Sequence, residues 1–320
     1  MENERILLEA QNIKKYFPVS KGFVHAVDGI SFKLREGETL GVVGESGCGK
    51  TTLGRVLLRL YDVTDGKILY KGDDITHYSK KEMPKIRREM QMIFQDPSAS
   101  LDPRKCVSDI IGEPLVIYKT CANRAEYEAK VKEIMSIVGL AERFAASYPH
   151  ELDGGRRQRI GIGRALATNP KFIVCDEPVS ALDVSVQAQV LNLLMDLQEQ
   201  KKLAYMFITH DLSVVKHISH DILVMYLGQC VEYAPKQMLF NNPMHPYTKG
   251  LLDALPIPSL KKKRLNSGNV MKGELTSPID PKPGCRFYAR CPYASERCRQ
   301  PDIPFKEIEP QHFVACVLYE

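Results

Sequence analysis

A glycine-rich segment at residues 44–51 carries residue types that could bind a nucleoside polyphosphate. It reads Gly-Glu-Ser-Gly-Cys-Gly-Lys-Thr, follows an apolar run and precedes a segment of helical character. In this context the pattern predicts a phosphate-binding loop, because its glycines let successive backbone N–H groups point at one phosphate. We expect Lys50 to bridge the β- and γ-phosphates and the Thr51 hydroxyl to bind Mg²⁺. The predicted phosphate-contacting residues are Gly44, Glu45, Ser46, Gly47, Cys48, Gly49, Lys50, Thr51 and Thr52.

Two carboxylates follow a second apolar run, residues 172–175. Asp176 and Glu177 therefore lie at the carboxyl end of a predicted buried strand, where open parallel sheets bind their ligands. We expect Asp176 to hold the metal through water and Glu177 to polarise the attacking water as a general base. Alone, such a pair fits a solvated strand end equally well. Together with the phosphate loop it indicates hydrolysis of a nucleoside triphosphate.

The composition excludes several classes of protein. The chain has 320 residues, of which 44% are apolar and 26% charged, which is enough for about two domains with a real core. No stretch reaches the ~18 consecutive apolar residues of a membrane helix, and the acidic start lacks the features of a secretory signal. We therefore expect a cytosolic protein. Its nine cysteines should be mostly reduced, and a cluster of them would bind metal rather than form disulfides.

The net charge of +5 comes mainly from the last part of the chain, with 11 Lys/Arg against 7 Asp/Glu from residue 257 onward. A basic balance permits nucleic acid or anionic lipid as a partner, although an imbalance of this size is more typical of a solvated surface. The basic run at residues 261–264 could in the same way touch anionic headgroups or form a solvated loop.

The elements that position these motifs alternate along the chain. Short apolar runs predict strands at residues 39–43, 172–175, 205–208 and 222–225, and helical spacing predicts helices at 52–60 and 184–199. This alternation is typical of a parallel α/β sheet. Within residues 107–168, apolar residues repeat at helical spacing, which predicts mainly helices. After residue 235, frequent prolines break the periodicity, so we expect an irregular appended module or a disordered tail.

Residues 5 to about 235 resemble the ATP-binding subunits of ABC transporters, because further motifs follow in the family's order. Gln95 matches the Q-loop glutamine, which the resemblance implies reaches the Mg²⁺ ion. His210 matches the switch histidine that contacts the γ-phosphate, and Asp183 ends the loop that crosses the ATPase dimer. Tyr16 lies where the family stacks an aromatic ring on adenine, although an ordinary strand aromatic also fits there.

One motif departs from the family pattern. The signature Leu-Ser-Gly-Gly-Gln, which completes the partner's ATP site in trans, reads here Leu152, Asp153, Gly154, Gly155 and Arg156. A serine hydroxyl can donate a hydrogen bond to a γ-phosphate, whereas an ionised aspartate cannot. Asp153 therefore predicts that this chain impairs its partner's ATP site, unless Arg156 or a shifted loop neutralises the aspartate. The helix itself should persist, since aspartate is a good N-cap.

The segment at 243–252, Pro-Met-His-Pro-Tyr-Thr-Lys-Gly-Leu-Leu, resembles the region after the ATPase core in oligopeptide and dipeptide importers, a family that includes nickel importers. Four cysteines then fall within 32 residues, at a spacing that matches neither a zinc ribbon nor a bacterial ferredoxin. Four thiolates suit a [4Fe–4S] cluster or Zn²⁺. The resemblance favours the cluster, with zinc and unliganded thiols as alternatives. The predicted ligands are Cys285, Cys291, Cys298 and Cys316.

The predicted fold is an α/β P-loop NTPase with a doubly wound, mostly parallel sheet, an antiparallel β subdomain, a helical subdomain and an irregular Cys-rich C-terminal extension. We expect an ABC ATPase domain at residues 1–240, with its helical subdomain at about 97–165, and the extension at 241–320. The chain resembles the second of the two ATPases of peptide importers. ATP binding would close this subunit head to tail against the other, unlike ATPase subunit.

The resemblance implies a subunit that hydrolyses ATP with Mg²⁺ to power peptide import. It would lie peripherally on the cytoplasmic face of the membrane. Its partners would be a non-identical ATPase, two permease subunits and an extracellular substrate-binding protein. No nucleic acid is expected as a partner. An importer of nickel or another solute is the first alternative. A soluble ABC ATPase acting on ribosomes or DNA, and a small-molecule kinase, fit the motifs less well.

Overall fold

The computed structural model describes residues 5–254, 277–301 and 303–320. The described residues form two compact units, each assembled from separate stretches of the chain. Unit I consists of residues 5–7, 34–38 and 77–208. Unit II consists of residues 8–33, 39–76, 209–254, 277–301 and 303–320. The basic run at residues 261–264 lies outside the described residues.

Regular elements account for most of the described chain. The strands are β1 (Ile6–Val19), β2 (Gly22–Arg35), β3 (Thr39–Val43), β4 (Asp65–Tyr70), β5 (Asp73–Asp74), β6 (Met90–Ile93), β7 (Phe172–Asp176), β8 (Ala204–Ile208), β9 (Asp221–Tyr226), β10 (Gln229–Pro235), β11 (Lys306–Glu309) and β12 (His312–Val314). The helices are α1 (Lys50–Leu57), α2 (Met83–Glu89), α3 (Pro97–Ser100), α4 (Val107–Ile117), α5 (Arg124–Ile137), α6 (Gly154–Leu166), α7 (Val184–Lys201), α8 (Leu212–Ile218), α9 (Lys236–Asn241) and α10 (Pro246–Asp253).

Unit I contains three parallel strands, in which β7 pairs with β6 on one side and with β8 on the other. Every residue of β7 and β8 is buried, as expected for parallel strands that are covered on both faces. The apolar runs near residues 172 and 205 therefore form the predicted strands. The buried strand β7 ends at Asp176.

The helices of unit I pack closely where a glycine faces its neighbours. A Cβ atom on Gly163 of α6 would stand 3.3 Å from the side chain of Ile134 on α5 and 3.4 Å from that of Ile111 on α4. A side chain at this point would fit only if the two isoleucine side chains shifted by a few tenths of an ångström. At the start of α5, the Asn123 side chain accepts a hydrogen bond from the Glu126 N–H at 2.9 Å and so caps the helix.

Unit II contains an antiparallel sheet with the strand order β2-β1-β4-β5 and a second, mixed set of strands. In the mixed set, β3 runs parallel to β9, and β9, β10, β12 and β11 then pair in turn in antiparallel fashion. The end of the chain is thus more regular than its prolines predict. The short apolar strand β12 pairs with β10 and thereby extends the sheet beyond the ATPase core.

The core of unit II joins the phosphate-loop strands to the C-terminal extension. Three aromatic rings lie at its centre: Tyr226 is 4.7 Å from Tyr247 and 5.2 Å from Phe287, measured between ring centroids. All three are almost fully buried, and aromatic residues of this size dominate core stability. The fully or nearly fully buried members are Val43, Leu212, Val215, Ile222, Val224, Tyr226, Leu227, Val231, Ala234, Leu239, Tyr247 and Phe287.

Across the part of the chain that the structure describes, no helix has both the length and the apolar character needed to cross a membrane.

Candidate functional site

The glycine-rich segment forms a tight loop between β3 and α1 in unit II. Gly44, with φ of +153°, and Gly49, with φ of +105°, lie in backbone conformations that other residues rarely adopt. A Cβ atom would also stand 2.2 Å from the Met225 carbonyl oxygen at Gly44 and 1.9 Å from the Ala26 carbonyl oxygen at Gly49. Both positions therefore require glycine, and they give the loop the curvature that a phosphate cradle needs.

Lys50 begins α1 and is buried within the loop. Its Nζ donates hydrogen bonds to the carbonyl oxygens of Gly44 at 2.8 Å and Glu45 at 3.0 Å. The ammonium group is thus held at the loop by backbone oxygens. Ser46 and Gly47, at the tip of the loop, are exposed, whereas Cys48 is buried. The predicted phosphate-contacting residues are therefore placed together, with the lysine among them.

Tyr16 lies on β1 in a network that its sequence context did not indicate. Its hydroxyl donates to Asp28 Oδ1 at 2.5 Å, and its ring stacks on His25 with centroids 3.9 Å apart. Arg286 of the extension donates to the other oxygen of Asp28 and to the Leu227 carbonyl. Burial opposes ionisation of Asp28, but the hydrogen bond from Tyr16 and the charge of Arg286 outweigh it and lower the pKa of this carboxyl. The predicted stacking of Tyr16 on adenine stays a prediction.

Glu45, the second residue of the loop, is held at both its backbone and its side chain. Its N–H donates to the Tyr247 hydroxyl at 2.8 Å. Its carboxylate accepts two hydrogen bonds from Arg290, at 2.7 and 2.9 Å. Sequence patterns gave no indication of either contact, because both partners lie in the C-terminal extension. The one available signal was the presence of a carboxylate inside a loop that binds anions.

In unit I, Glu177 directly follows the last residue of β7 and carries an unusual backbone conformation. Its φ is +45°, in the left-handed region that costs free energy in a non-glycine residue. Gln95, just after β6, donates through Nε2 to Glu177 Oε2 at 3.0 Å. Asp176 beside it is buried. The structure therefore brings together the three unit I residues that we predicted to handle water and metal.

The segment at residues 152–156 forms the start of α6. Asp153 caps the helix, because its Oδ1 accepts from the Arg156 N–H at 2.8 Å. The Arg156 guanidinium donates to Asp153 Oδ2 at 2.5 Å, and both side chains are exposed. The aspartate is thus paired with the arginine, as expected from the alternative in which Arg156 neutralises Asp153. Gly155 is buried, and a Cβ atom there would stand 2.5 Å from the Val186 side chain.

Two further predicted residues lie at the ends of elements. Asp183 caps α7 in unit I, and its Oδ1 accepts from the Val186 N–H at 3.0 Å and from the Ser185 hydroxyl at 2.7 Å. His210, in unit II, is exposed and immediately precedes Asp211, which caps α8. Asp183 is therefore fixed at the start of a helix, and His210 lies just before one. Their roles in a dimer and at a γ-phosphate stay predictions.

The four cysteines of the extension line one small cavity in unit II, together with aromatic and aliphatic side chains. Burial, with smaller contributions from the three neighbouring thiols, raises the pKa of Cys285 to about 12. Burial likewise raises the pKa of Cys291 and Cys316. Among the described residues, however, no three His, Cys, Asp or Glu side chains are grouped so that they could hold a metal ion. The predicted iron–sulfur or zinc site is therefore not confirmed.

Two family models match the chain. The ABC transporter model matches residues 27–180, and the model described as oligopeptide/dipeptide transporter, C-terminal region, matches residues 231–298. Among solved structures, the dimeric ATP-binding cassette MJ0796 bound to ADP and Pi is similar with a TM-score of 0.67 and 27% identity, over 72% of this chain and 99% of its own. CbiO1 from Clostridium perfringens, part of the ABC transporter complex cbiONQ, also gives 0.67, with 25% identity over 75% and 92% of the two chains.

Curated relatives are similar over nearly the whole length. The oligopeptide transport ATP-binding protein AppF of Bacillus subtilis is 52% identical over 99% of this chain and 98% of its own. The dipeptide transport ATP-binding protein DppF of Haemophilus influenzae is 48% identical over 97% and 96%. The likeness to solved structures confirms the predicted α/β fold of an ABC ATPase, but not the predicted Cys-rich character of the extension. The chain belongs to the ABC transporter ATPases, within the group of oligopeptide and dipeptide transport ATP-binding proteins.

Proposed function

We propose that this chain hydrolyses ATP to power the import of di- or oligopeptides across the cytoplasmic membrane. The observation that carries the proposal is a complete phosphate loop on a chain whose full-length relatives are peptide-transport ATP-binding proteins. The two matched regions cover both the ATPase core and the transporter-specific extension. Neither a ribosome-bound or DNA-bound ATPase nor a small-molecule kinase accounts for the second match.

Each predicted residue has a role in this reaction. The loop and Lys50 bind the β- and γ-phosphates, and Tyr16 contacts the adenine. Glu177 accepts a proton from water as the water oxygen attacks the γ-phosphorus. The bond from phosphorus to the β–γ bridging oxygen then breaks, and ADP and phosphate leave. His210 stabilises the γ-phosphate.

Thr51, Gln95 and Asp176 would hold the Mg²⁺ ion of the bound nucleotide. Hydroxyl, amide and carboxylate oxygens are the ligands that Mg²⁺ prefers, usually with waters completing its shell. When bound, the ion neutralises phosphate charge. The exposed amide of Gln95 is already oriented by its hydrogen bond to Glu177, which supports its assignment to this group.

The assembly that we propose contains two permease subunits in the membrane, a second ATPase and an extracellular substrate-binding protein. Residues 152–156 complete the ATP site of the second ATPase in trans, and the partner's equivalent segment completes the site of this chain. We further propose that the two ATPases are non-identical, because the paired Asp153 and Arg156 make this signature unlike the family pattern. The chain would then lie peripherally on the cytoplasmic face of the membrane.

The four extension cysteines are proposed to bind a [4Fe–4S] cluster. They line one cavity, and four thiols in an apolar setting suit a soft metal centre. Among the described residues, no three His, Cys, Asp or Glu side chains are grouped so that they could hold a metal ion. Zinc and unliganded thiols are the alternatives.

Elemental analysis of anaerobically purified protein separates these alternatives. The cluster predicts iron and acid-labile sulfide together with a broad visible absorption band, all lost in Cys298→Ser. Cys121→Ser, in unit I, is the matched control and should leave them unchanged. Stoichiometric zinc, or protein free of metal after anaerobic purification, would contradict the cluster.

Glu177→Gln tests the catalytic assignment in the assembled transporter. We expect ATP binding to be retained, while ATP hydrolysis and peptide uptake into proteoliposomes fall by at least about 10²-fold, because the general base is lost. Glu142→Gln, in an exposed ion pair with Lys132, is the control and should behave as wild type. Hydrolysis that persists in Glu177→Gln would contradict the role of Glu177. Uptake of nickel or another solute in place of peptide would contradict the substrate.

A further inference from the structure

The phosphate loop contains an acidic side chain at its second position, which is unfavourable for binding a polyanion. Glu45 lies between Gly44 and Ser46, and its carboxylate is partly exposed, with 23% of the side chain accessible. A nucleoside triphosphate bound in this loop would add several negative charges near that carboxylate. Like charges at such short range repel strongly in a partly buried site. The loop can accept this residue only if its charge is compensated.

Arg290 supplies the compensating charge. Its two terminal nitrogens donate to the two oxygens of Glu45, at 2.7 and 2.9 Å. This is the bidentate geometry in which arginine binds carboxylates most strongly. The Arg290 side chain is only 9% exposed, so the ion pair is screened less by salt than a surface pair.

The surroundings of Arg290 fix its position. Its guanidinium lies 5.8 Å from the ring centroid of Tyr226 and 5.9 Å from that of Phe287. Both rings belong to the buried core of unit II. Tyr247, which accepts the Glu45 N–H, packs against the same rings. The side chain and the backbone of Glu45 are therefore tied to one aromatic cluster.

A second arginine from the same short segment reaches a different part of the nucleotide site. Arg286 pairs with Asp28, which in turn accepts the Tyr16 hydroxyl. Arg286 and Arg290 lie between Cys285 and Cys291, two of the cysteines that line the extension cavity. One stretch of the C-terminal extension thus contacts both the phosphate loop and the partner of the predicted adenine-stacking tyrosine.

We infer that Arg290 is a positioning residue of the ATP site, which neutralises Glu45 and, with Tyr247, fixes the start of the phosphate loop. The C-terminal extension is then part of the nucleotide-binding machinery rather than an appendage to it. The inference rests on ATP binding at this loop, which is part of the proposed function. It does not depend on what the transporter carries.

Nucleotide binding to the purified full-length chain tests the inference by calorimetric titration. We expect Arg290→Ala to weaken ATP binding about tenfold, or about 1.4 kcal/mol, and to weaken ADP binding less, because ADP carries less negative charge. Arg299→Ala is the matched control: Arg299 lies in the same extension and pairs with Glu296 at the surface, so its loss should change the ATP affinity by less than about twofold.

The double variant separates charge compensation from a purely structural role. If Arg290 acts by neutralising Glu45, then Glu45→Gln combined with Arg290→Ala should restore ATP affinity to within about threefold of Glu45→Gln alone. If Arg290 merely holds the extension together, removing the charge of Glu45 will rescue nothing. Wild-type ATP affinity in Arg290→Ala, or an unrescued double variant, overturns the inference.

Two further measurements keep the test decisive if Arg290→Ala is poorly folded. Arg290→Lys keeps the charge but loses the bidentate geometry, and its ATP affinity should lie between those of wild type and Arg290→Ala. A tenfold loss in this variant would overturn the charge argument. In the assembled transporter, the KM for ATP should rise in Arg290→Ala with little change in kcat. A fall in kcat with an unchanged KM would also overturn the inference about Arg290. Loss of peptide specificity alone would instead count against the proposed substrate.

Discussion

At the scale of single residues, several ionisable groups of unit II are held in one charge state by burial. His245 is the clearest example. Its Nδ1 accepts a hydrogen bond from the Tyr247 N–H at 3.1 Å, which requires the neutral ring. Burial lowers its pKa to about 4; the nearby carboxylate of Glu232 opposes this shift, and Lys249 adds to it. The same histidine therefore caps α10 and helps to place the tyrosine that contacts the phosphate loop.

This burial predicts a pH dependence of stability. An unfolded histidine titrates near 6.5, so between pH 6.5 and 4 the unfolded chain binds a proton that the folded chain does not. The free energy of unfolding should therefore fall as pH drops through this window, by up to about 3 kcal/mol from His245 alone. His245→Asn keeps a hydrogen-bond acceptor at this position without the titration.

Thermal unfolding of wild type and His245→Asn between pH 7 and pH 4.5 measures the effect. We expect the melting temperature of wild type to fall more steeply with acidification than that of the variant, whatever the offset between them at pH 7. Parallel curves would contradict the assignment. His217→Asn, on the short helix α8, serves as a control for the loss of a histidine as such.

At the scale of secondary-structure elements, the residues proposed for chemistry lie where elements begin or end. Lys50 begins α1, Asp176 ends β7 and Asp153 precedes α6. Helix starts present unpaired N–H groups and positive potential, and strand ends expose side chains at the edge of a sheet. These positions let regular elements fix polar groups at their ends, where Lys50 and Asp176 are buried and Asp153 is exposed.

The start of α6 gives a prediction about the altered signature. Arg156 cancels the charge of Asp153, but the aspartate still cannot donate a hydrogen bond to a phosphate. We therefore expect Arg156→Gln alone to lower the ATPase rate of the assembled transporter severalfold, because it exposes an unpaired carboxylate. Asp153→Ser combined with Arg156→Gln should raise the rate above wild type, and serine retains the helix cap.

Steady-state ATPase assays of the two variants in the same lipid preparation decide this point. Rates equal to wild type in both would mean that the segment does not contact the partner's nucleotide. Arg104→Gln, an exposed arginine paired with Asp102, is the matched control for loss of a surface ion pair.

The sequence predicts some of these features because their information is local. The phosphate loop follows from eight consecutive residues, and uninterrupted apolar runs predict the strands at 172–175 and 205–208, each within one residue of the observed β7 and β8. The pair between Glu45 and Arg290 spans 245 residues, and the bond between Glu45 and Tyr247 spans 202. Neither residue type nor spacing encodes such contacts, so they require the folded core that brings the extension to the loop.

At the scale of the whole molecule, the extension contributes to unit II rather than standing apart from it. Strand β12 pairs with β10, and Tyr247 and Phe287 complete the aromatic core beside Tyr226. Removing the extension would expose this apolar surface and leave Glu45 without its charge partner. The prediction of an irregular module or a disordered tail therefore missed the short strands of this region. The prolines interrupt the periodicity of the sequence, and these short elements are stabilised by tertiary packing rather than by local propensity.

The proposed trans arrangement predicts that the chain is a poor enzyme by itself. Its phosphate loop holds the Lys50 ammonium group through the carbonyl oxygens of Gly44 and Glu45. The segment proposed to close over the γ-phosphate, however, belongs to another subunit. We expect the purified chain to bind ATP yet hydrolyse it at least about 10²-fold more slowly than the assembled transporter, because the stabilisation of the transition state is incomplete. Any residual rate per molecule should rise with protein concentration, since transient dimers form more often.

Assays of ATP hydrolysis at protein concentrations spanning two orders of magnitude, together with light scattering, test this expectation. Adding the partner ATPase should raise the rate, and a partner variant altered in its own signature segment should not. A monomeric chain that turns over ATP at the transporter's rate, independent of concentration, would contradict the trans site. In that case the roles proposed for residues 152–156 and Asp183 would fail together, since both depend on closure against a second ATPase.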